Sequence, residues 1–190
     1  METDRKWIVV RIDGKLAAVS TDYRMLASIT DRLAKKDAVY KEITAAAVSF
    51  DEVWKLRQET TWEDLVLFGT DFQKKVWRKL WDLTHSQDEI SQTRLMSYSD
   101  FAESCKNRAG VRAVAHAIGL NPVSVIIPCH LVVPKEAIDK ISAIHKKAEA
   151  TIFKGDDLCI SSILSDNTID FGEYDLGRKL KRELIMLELK

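Results

Sequence analysis

Apolar positions along the chain change period several times, and each change predicts an element. Residues 7–12, WIVVRI, form a strand-like apolar run. The run ends at Asp13-Gly14, where both positions tolerate positive φ; this predicts a tight hairpin turn, with Leu16 to Val19 as the returning strand. From Tyr23 to Leu33 the spacing becomes helical, through Met25, Leu26, Ile29 and Leu33. Residues 43–50, ITAAAVSF, are too short for period alone to separate a strand from a buried helical piece. A polar connector near Arg57 to Thr61 then closes a small α+β part, residues 1–62, with no site of its own and a scaffold role.

Thr70 to Leu83 is an amphipathic helix pattern. Phe72, Val76, Trp77, Leu80 and Trp81 share one face, with Lys74, Lys75, Arg78 and Lys79 largely opposite, as on a core helix with a solvated basic side. A polar loop from Thr84 to Thr93 follows. Ser97 or Ser99 then caps a short helix holding Phe101 and Ala102. A turn at Lys106 to Gly110 leads to a second helix, Val111 to Ile118, closed by Gly119 at a C-cap position. Two short helices joined by a tight turn make a helix-turn-helix pattern. The second helix carries small residues at Gly110, Ala113, Ala115 and Ala117, with Arg112 among them. Two readings fit: a tightly packed core helix with Arg112 at its rim, or a helix that approaches a phosphate backbone closely and sends one long cation into a groove.

Val123, Val125, Ile126 and Ile127 then read as a short buried segment. Pro128 fixes the backbone just before Cys129 and keeps Ile127 extended, so the thiol sits at the end of a rigid piece of chain with His130 beside it. Beyond Pro134, Ile138, Ile141, Ile144 and Ala148 suggest a helix, and an apolar patch, LCISSIL, follows Gly155-Asp156-Asp157. Residues 172–177, GEYDLG, place two glycines around Tyr174, a tight loop able to close over a ligand. A last helix, Arg178 to Leu189, presents Leu180, Leu184 and Leu187 to the core, with Glu188 near its end.

Composition narrows the classes. With 46% hydrophobic and 31% charged residues the chain packs a core, and no run approaches the roughly 18 apolar residues of a membrane span. METDRKWIVV is a poor secretory signal. Three widely separated cysteines make no disulfide framework and fit a reducing cytoplasm; Cys105 and Cys159 read as small hydrophobes. No C-x-x-C and no cysteine-histidine cluster beyond Cys129-His130 offers zinc spacing, so no metal and no cofactor is expected. Lys+Arg and Asp+Glu both total 29, so any nucleic-acid site must come from local charge; Lys106, Arg108 and Arg112, with Glu103 just upstream as the one acid, supply it.

Together GTDFQKKVW, SYSDFA, VRAVAHAIGLNP, IIPCH followed by VV, and GEYDLG leading into KLKRELIMLE resemble the O6-methylguanine-DNA methyltransferase family, over about Gly69 to Glu188. The resemblance implies a small ribonuclease-H-like α/β domain at 1–62 and a mostly helical, winged helix-turn-helix-like alkyltransferase domain at 69–190. It also implies direct, single-turnover repair, with the alkyl group of an O6-alkylguanine in double-stranded DNA moved onto Cys129 by a cytoplasmic monomer. In that scheme His130 takes the thiol proton through a water and Glu188 orients His130. Asn121 is the hinge that ties the helix-turn-helix to the active-site turn, and Tyr98 donates to the guanine ring. The backbone of Cys129 and Val132 reads the amino group of the base. Tyr174, Asp175 and Gly177 wall the pocket, and Arg112 fills the gap left by a flipped nucleotide, with Gly110, Val111, Ala113 and Ala115 along the groove. The residue types suit the chemistry: displacement at carbon calls for a thiolate, the departing oxygen needs a donor, and a buried base must first be extruded.

Two departures stand out. Leu131 occupies a position where the family carries arginine. Residues 134–171 intervene where the family has a short turn, so an insertion is expected there. The alternatives are an alkyltransferase-like protein that binds damaged DNA without reacting, and a plain helix-turn-helix regulator.

Overall fold

The computed structural model describes residues 4–22, 24, 42–85, 95–149, 163 and 166–189. Among these the chain forms strands β1 (Trp7–Ile12), β2 (Lys15–Ser20) and β3 (Ile43–Val48), then helices α1 (Phe50–Glu59) and α2 (Asp71–His85). Strand β4 (Met96–Ser97), helices α3 (Tyr98–Ser104) and α4 (Val111–Gly119), strand β5 (Val132–Val133), and helices α5 (Lys135–Glu149) and α6 (Arg178–Glu188) follow. The architecture is mixed α/β. Packing divides it into two units, Met1–Ser86 with Ala113–Cys129, and Gln87–Arg112 with His130–Lys190. These interleave along the sequence, whereas the division at 1–62 and 69–190 is by motif content. No helix of the described residues is long and apolar enough to cross a membrane.

In the first unit the hairpin forms as expected, with Asp13 at φ 49° and Gly14 at φ 79° closing β1 onto β2. The antiparallel sheet runs β2-β1-β3. Ile8, Val10 and Ile12 alternate onto one face with Ala18 and Phe68, while Trp7 on the other meets Phe50 of α1 at 5.8 Å between ring centroids. Residues 43–50 are split at Ser49, where β3 gives way to α1. Ser49 Oγ accepts from Glu52 N–H and Glu52 Oε2 accepts from Ser49 N–H, a reciprocal cap that starts the helix. The connector expected at Arg57 to Thr61 is therefore corrected: residues 57–59 are the last turn of α1, and Arg57 is buried, its guanidinium 4.8 Å from the Trp54 ring centre. The helix expected from Tyr23 to Leu33 lies outside the described residues.

The Gly-Thr-Asp-Phe-Gln motif opens α2 by the same device. Gln73 N–H donates to Thr70 Oγ1 and Thr70 N–H to Gln73 Oε1, and a Cβ on Gly69 would stand 2.6 Å from the Trp77 ring. Val76, Trp77, Leu80 and Trp81 are buried as the period predicts, but Phe72, the second residue of the helix, is exposed. Thr84 and His85 belong to α2 rather than to the expected loop; residues 86–93 lie outside the described set. Trp77 Nε1–H donates to Ala117 O at 2.8 Å, tying α2 to the end of α4. The outer edge of β2 is also used, since Val19 N–H donates to Pro122 O and Ser124 N–H to Val19 O, both at 3.0 Å.

In the second unit β4 and β5 pair in parallel, Met96 with Val132 and Ser97 with Val133. Ser97, not Ser99, caps α3, its Oγ accepting from Asp100 N–H. The helix stops where Lys106 turns left-handed (φ 56°), with Lys106 N–H on Glu103 O and Asn107 N–H on Ala102 O. Within residues 134–171, Ala137 and Ile141 of α5 and Ile163, Ile169 and Phe171 join Val133, Ile185 and Met186 in one core. Arg182 donates to the carbonyls of Ile163, Asp166 and Ile169, which pins this stretch to α6. On α6, Leu180 and Leu184 are buried as expected, but Ile185 and Met186 complete the face and Leu187 is only half-buried.

Candidate functional site

Every residue from Asn121 to Val133 is buried, so the polar groups in this stretch must be satisfied internally. Asn121 does most of this. Its Oδ1 accepts from Val123 N–H at 3.1 Å, and its Nδ2 donates to Ile127 O at 2.8 Å and to Cys129 Sγ at 3.1 Å. Cys129 N–H donates to the same Ile127 carbonyl at 2.8 Å. Val125 is forced to φ 72°, a left-handed conformation that costs a β-branched residue about 1–3 kcal/mol. The Ile127 N–H to Val123 O bond and complete burial of the Val125 side chain hold it there. Cys129 is 6% exposed, and its Sγ accepts the Asn121 amide N–H.

In the second unit, His130 is fully buried and its Nε2 lies 3.0 Å from Glu188 Oε1, whose side chain is 5% exposed. A carboxylate only accepts, so this contact orients the ring through its Nε2. Tyr98, at the start of α3, is half-buried, and Val132 on the paired strand is buried. Tyr174 is half-buried and its carbonyl accepts from Gly177 N–H at 2.9 Å; Asp175 is exposed and Gly177 sits at φ 103°.

The residue missed in the sequence is Lys181. It is 1% exposed, and its Nζ donates to Val132 O at 2.8 Å, to Glu173 O at 3.2 Å and to Tyr98 Oη at 3.4 Å. One ammonium thus joins Tyr98, Val132 and the tyrosine loop. The signal was available: Lys181 precedes Glu188 by two helical turns and so shares its face. Lys181→Met keeps the side-chain length and the apolar stem but strips the donors from the carbonyls of Val132 and Glu173. It is expected to lower stability by about 2–3 kcal/mol in urea denaturation.

On α4, Arg112 and Ala113 are exposed, and Gly110, Val111 and Ala115 are half-buried, so the face expected to meet a nucleic acid is open. A Cβ on Gly110 would lie 2.4 Å from the Asn107 side chain, which accounts for the glycine. Gly119 ends the helix without positive φ, correcting its expected capping role. Arg108 is 3.7 Å from Glu103, so that cation is partly offset locally. Leu131 is fully buried. Among the described residues no group of three or more metal-ligating side chains occurs.

Residues 71–150 match a family model described as 6-O-methylguanine DNA methyltransferase, DNA binding domain. A probable methylated-DNA–protein-cysteine methyltransferase of Acanthamoeba polyphaga mimivirus is 46% identical over 72 residues, 38% of this chain and 44% of that protein. The inducible methylated-DNA–protein-cysteine methyltransferase of Bacillus subtilis is 43% identical over 67 residues, 35% of this chain and 34% of that protein. The chain thus spans less than half the length of these relatives. In fold it is similar to an O6-methylguanine-DNA methyltransferase of Pyrococcus kodakaraensis (TM-score 0.54, 21% identity, 96% of this chain and 91% of that one). It is likewise similar to Mycobacterium tuberculosis OGT in complex with DNA (TM-score 0.52, 20% identity, 96% and 86%).

Proposed function

We propose that the chain, whose residues 71–150 match the 6-O-methylguanine DNA methyltransferase DNA-binding domain model, is an alkyltransferase that repairs DNA by moving an alkyl group from O6 of guanine onto Cys129. The observation that carries this reading is the hydrogen bond from Asn121 to the buried Cys129 thiol, in a turn whose next residue is a histidine fixed by a carboxylate. Sγ attacks the alkyl carbon as the C–O6 bond breaks. The Tyr98 hydroxyl supports the departing guanine with a hydrogen bond, and the guanine takes up the one proton the thiol gave to His130 through a water. A thioether is not hydrolysed, so one protein serves one lesion.

The target carbon lies inside the base stack, and extruding the nucleotide costs a few kcal/mol. Arg112, exposed on α4, occupies the vacated space, while Gly110, Val111, Ala113 and Ala115 let the helix lie close to the groove. Tyr174, Asp175 and Gly177 wall the base pocket, and the backbone of Val132 reads the amino group; its carbonyl retains a lone pair beside the Lys181 bond. In finer architecture, residues 1–62 form a ribonuclease-H-like scaffold and residues 69–190 a winged helix-turn-helix-like alkyltransferase domain. The protein acts as a monomer, and the need for a free thiol places it in the cytoplasm.

A duplex carrying a labelled methyl group on guanine O6 tests the reaction. Label equal to one methyl per protein is the expected result; tight duplex binding with no transfer leaves only a damage-binding role. Arg112→Ala is expected to slow repair of duplex by at least tenfold while leaving reaction with free O6-methylguanine base within about twofold, on the order of the extrusion cost removed. Equal losses on both substrates refute the role given to Arg112.

A further inference from the structure

We propose that Arg178 is a positioning residue for this reaction: by gripping Glu173 and Asp170 it latches the Tyr174 loop onto the first turn of α6. The inference rests on the repair reading and names a residue that reading does not use.

The loop is bounded by two glycines with positive φ, Gly172 at 81° and Gly177 at 103°, so its backbone has free joints at both ends. Between them it needs a fixed register if Tyr174 is to wall a pocket. Two cations on α6, one turn apart, supply it by holding opposite ends of the same residue. Lys181 Nζ holds the Glu173 carbonyl at 3.2 Å, and Arg178 holds the Glu173 carboxylate, with Nε on Oε1 at 2.8 Å and Nη2 on the same oxygen. Arg178 Nη1 also lies 3.6 Å from Asp170 Oδ2, and Asp170 Oδ1 accepts from Gly172 N–H at 2.8 Å. Both bounding glycines are thus tied to this network, Gly172 through Asp170 and Gly177 through its bond to Tyr174 O.

The two grips differ in kind. Lys181 is buried and permanent. The Arg178 and Glu173 side chains are 59% and 80% exposed, so their pairing is screened by salt. The pair is nonetheless engaged: hydrogen bonding to Arg178 holds the Glu173 carboxyl below the usual carboxylate range, and hydrogen bonding to Glu173 pushes the Arg178 guanidinium up. An exposed pair of this kind biases a loop by a factor of about two to five. That makes the loop adjustable without loosening the core beneath it.

The test uses free O6-methylguanine base labelled on the methyl group, a neutral substrate that takes DNA phosphates out of the salt dependence. Wild-type protein is expected to lose about two- to fivefold in transfer rate between about 0.05 M and 0.5 M salt. Arg178→Met and Glu173→Gln are each expected to be slow by that factor at low salt and flat across the range. The double variant should be no slower than either single one, and Arg178→Lys should restore part of the rate. Thermal unfolding midpoints are expected to stay close to wild type, which separates a lost latch from a lost fold. Additive losses in the double variant, or a wild-type salt response retained in Arg178→Met, overturn the latch while transfer by wild type still stands. No transfer by wild type removes the repair reading and the latch with it.

Discussion

Cys129→Ser protein is expected to take up no methyl from an alkylated duplex over a period in which the wild type reacts to completion, while still binding that duplex. The substitution changes one atom. Asn121 Nδ2 can donate to a hydroxyl oxygen as it does to Sγ at 3.1 Å, and the backbone bond from residue 129 to Ile127 O is untouched. The fold and the α4 face should therefore persist. What disappears is a soft nucleophile that can be deprotonated near neutral pH, because an alkoxide is inaccessible there. Label on the protein and a mobility shift with the same duplex check the two halves. Residual transfer at a site other than residue 129 would show that the wrong cysteine has been assigned, and Cys105 and Cys159 are the alternatives to map.

Asn121→Ala is expected to have the second-largest effect, on stability as much as on reaction. The side chain makes three buried hydrogen bonds, and its removal leaves the Val123 N–H without an acceptor and opens a cavity beside the turn. A buried orphan costs about 1–3 kcal/mol, and the lost packing brings the total to about 2–4 kcal/mol, a large part of the 5–15 kcal/mol typical of a domain. Strain at Val125 adds to the sensitivity, since the turn is held in a left-handed conformation by its surroundings. An unfolding free energy from urea denaturation within about 0.5 kcal/mol of wild type would mean that Asn121 is not the keystone of this turn. The transfer rate of the remaining folded protein should also fall, because the thiolate loses its donor.

Much of this was legible locally. The Asp13-Gly14 turn, the buried stripe of α2 and the helix from Lys135 follow from period and turn chemistry, which act over a few residues. The boundary at Ser49 was not read, because ITAAAVSF is apolar on both sides of it. The S-x-x-E cap at 49–52 was the only mark of the change, and missing it also misassigned Arg57. Phe72 was placed on the core by spacing, yet burial depends on what lies opposite, which spacing does not encode. Lys181 is easy to pass over because a lysine on a helix reads as solvated, whereas the carbonyls of Val132 and Glu173 and the Tyr98 hydroxyl take up its ammonium donors. Leu131 stands out in the sequence as a missing cation, and in the structure it is fully buried.

The bond pair between β2 and residues 122–124 bears on the order in which the protein is made. Val19 and Val123 are separated by about a hundred residues, so their pairing is among the most non-local contacts in the chain. During synthesis β2 is complete early and waits with that part of its edge open. The turn leading to Cys129 gains its backbone partners only when residues 122–124 arrive. The turn that carries Cys129 is therefore completed late, and a chain stopped before residue 122 leaves that edge of β2 without these bonds.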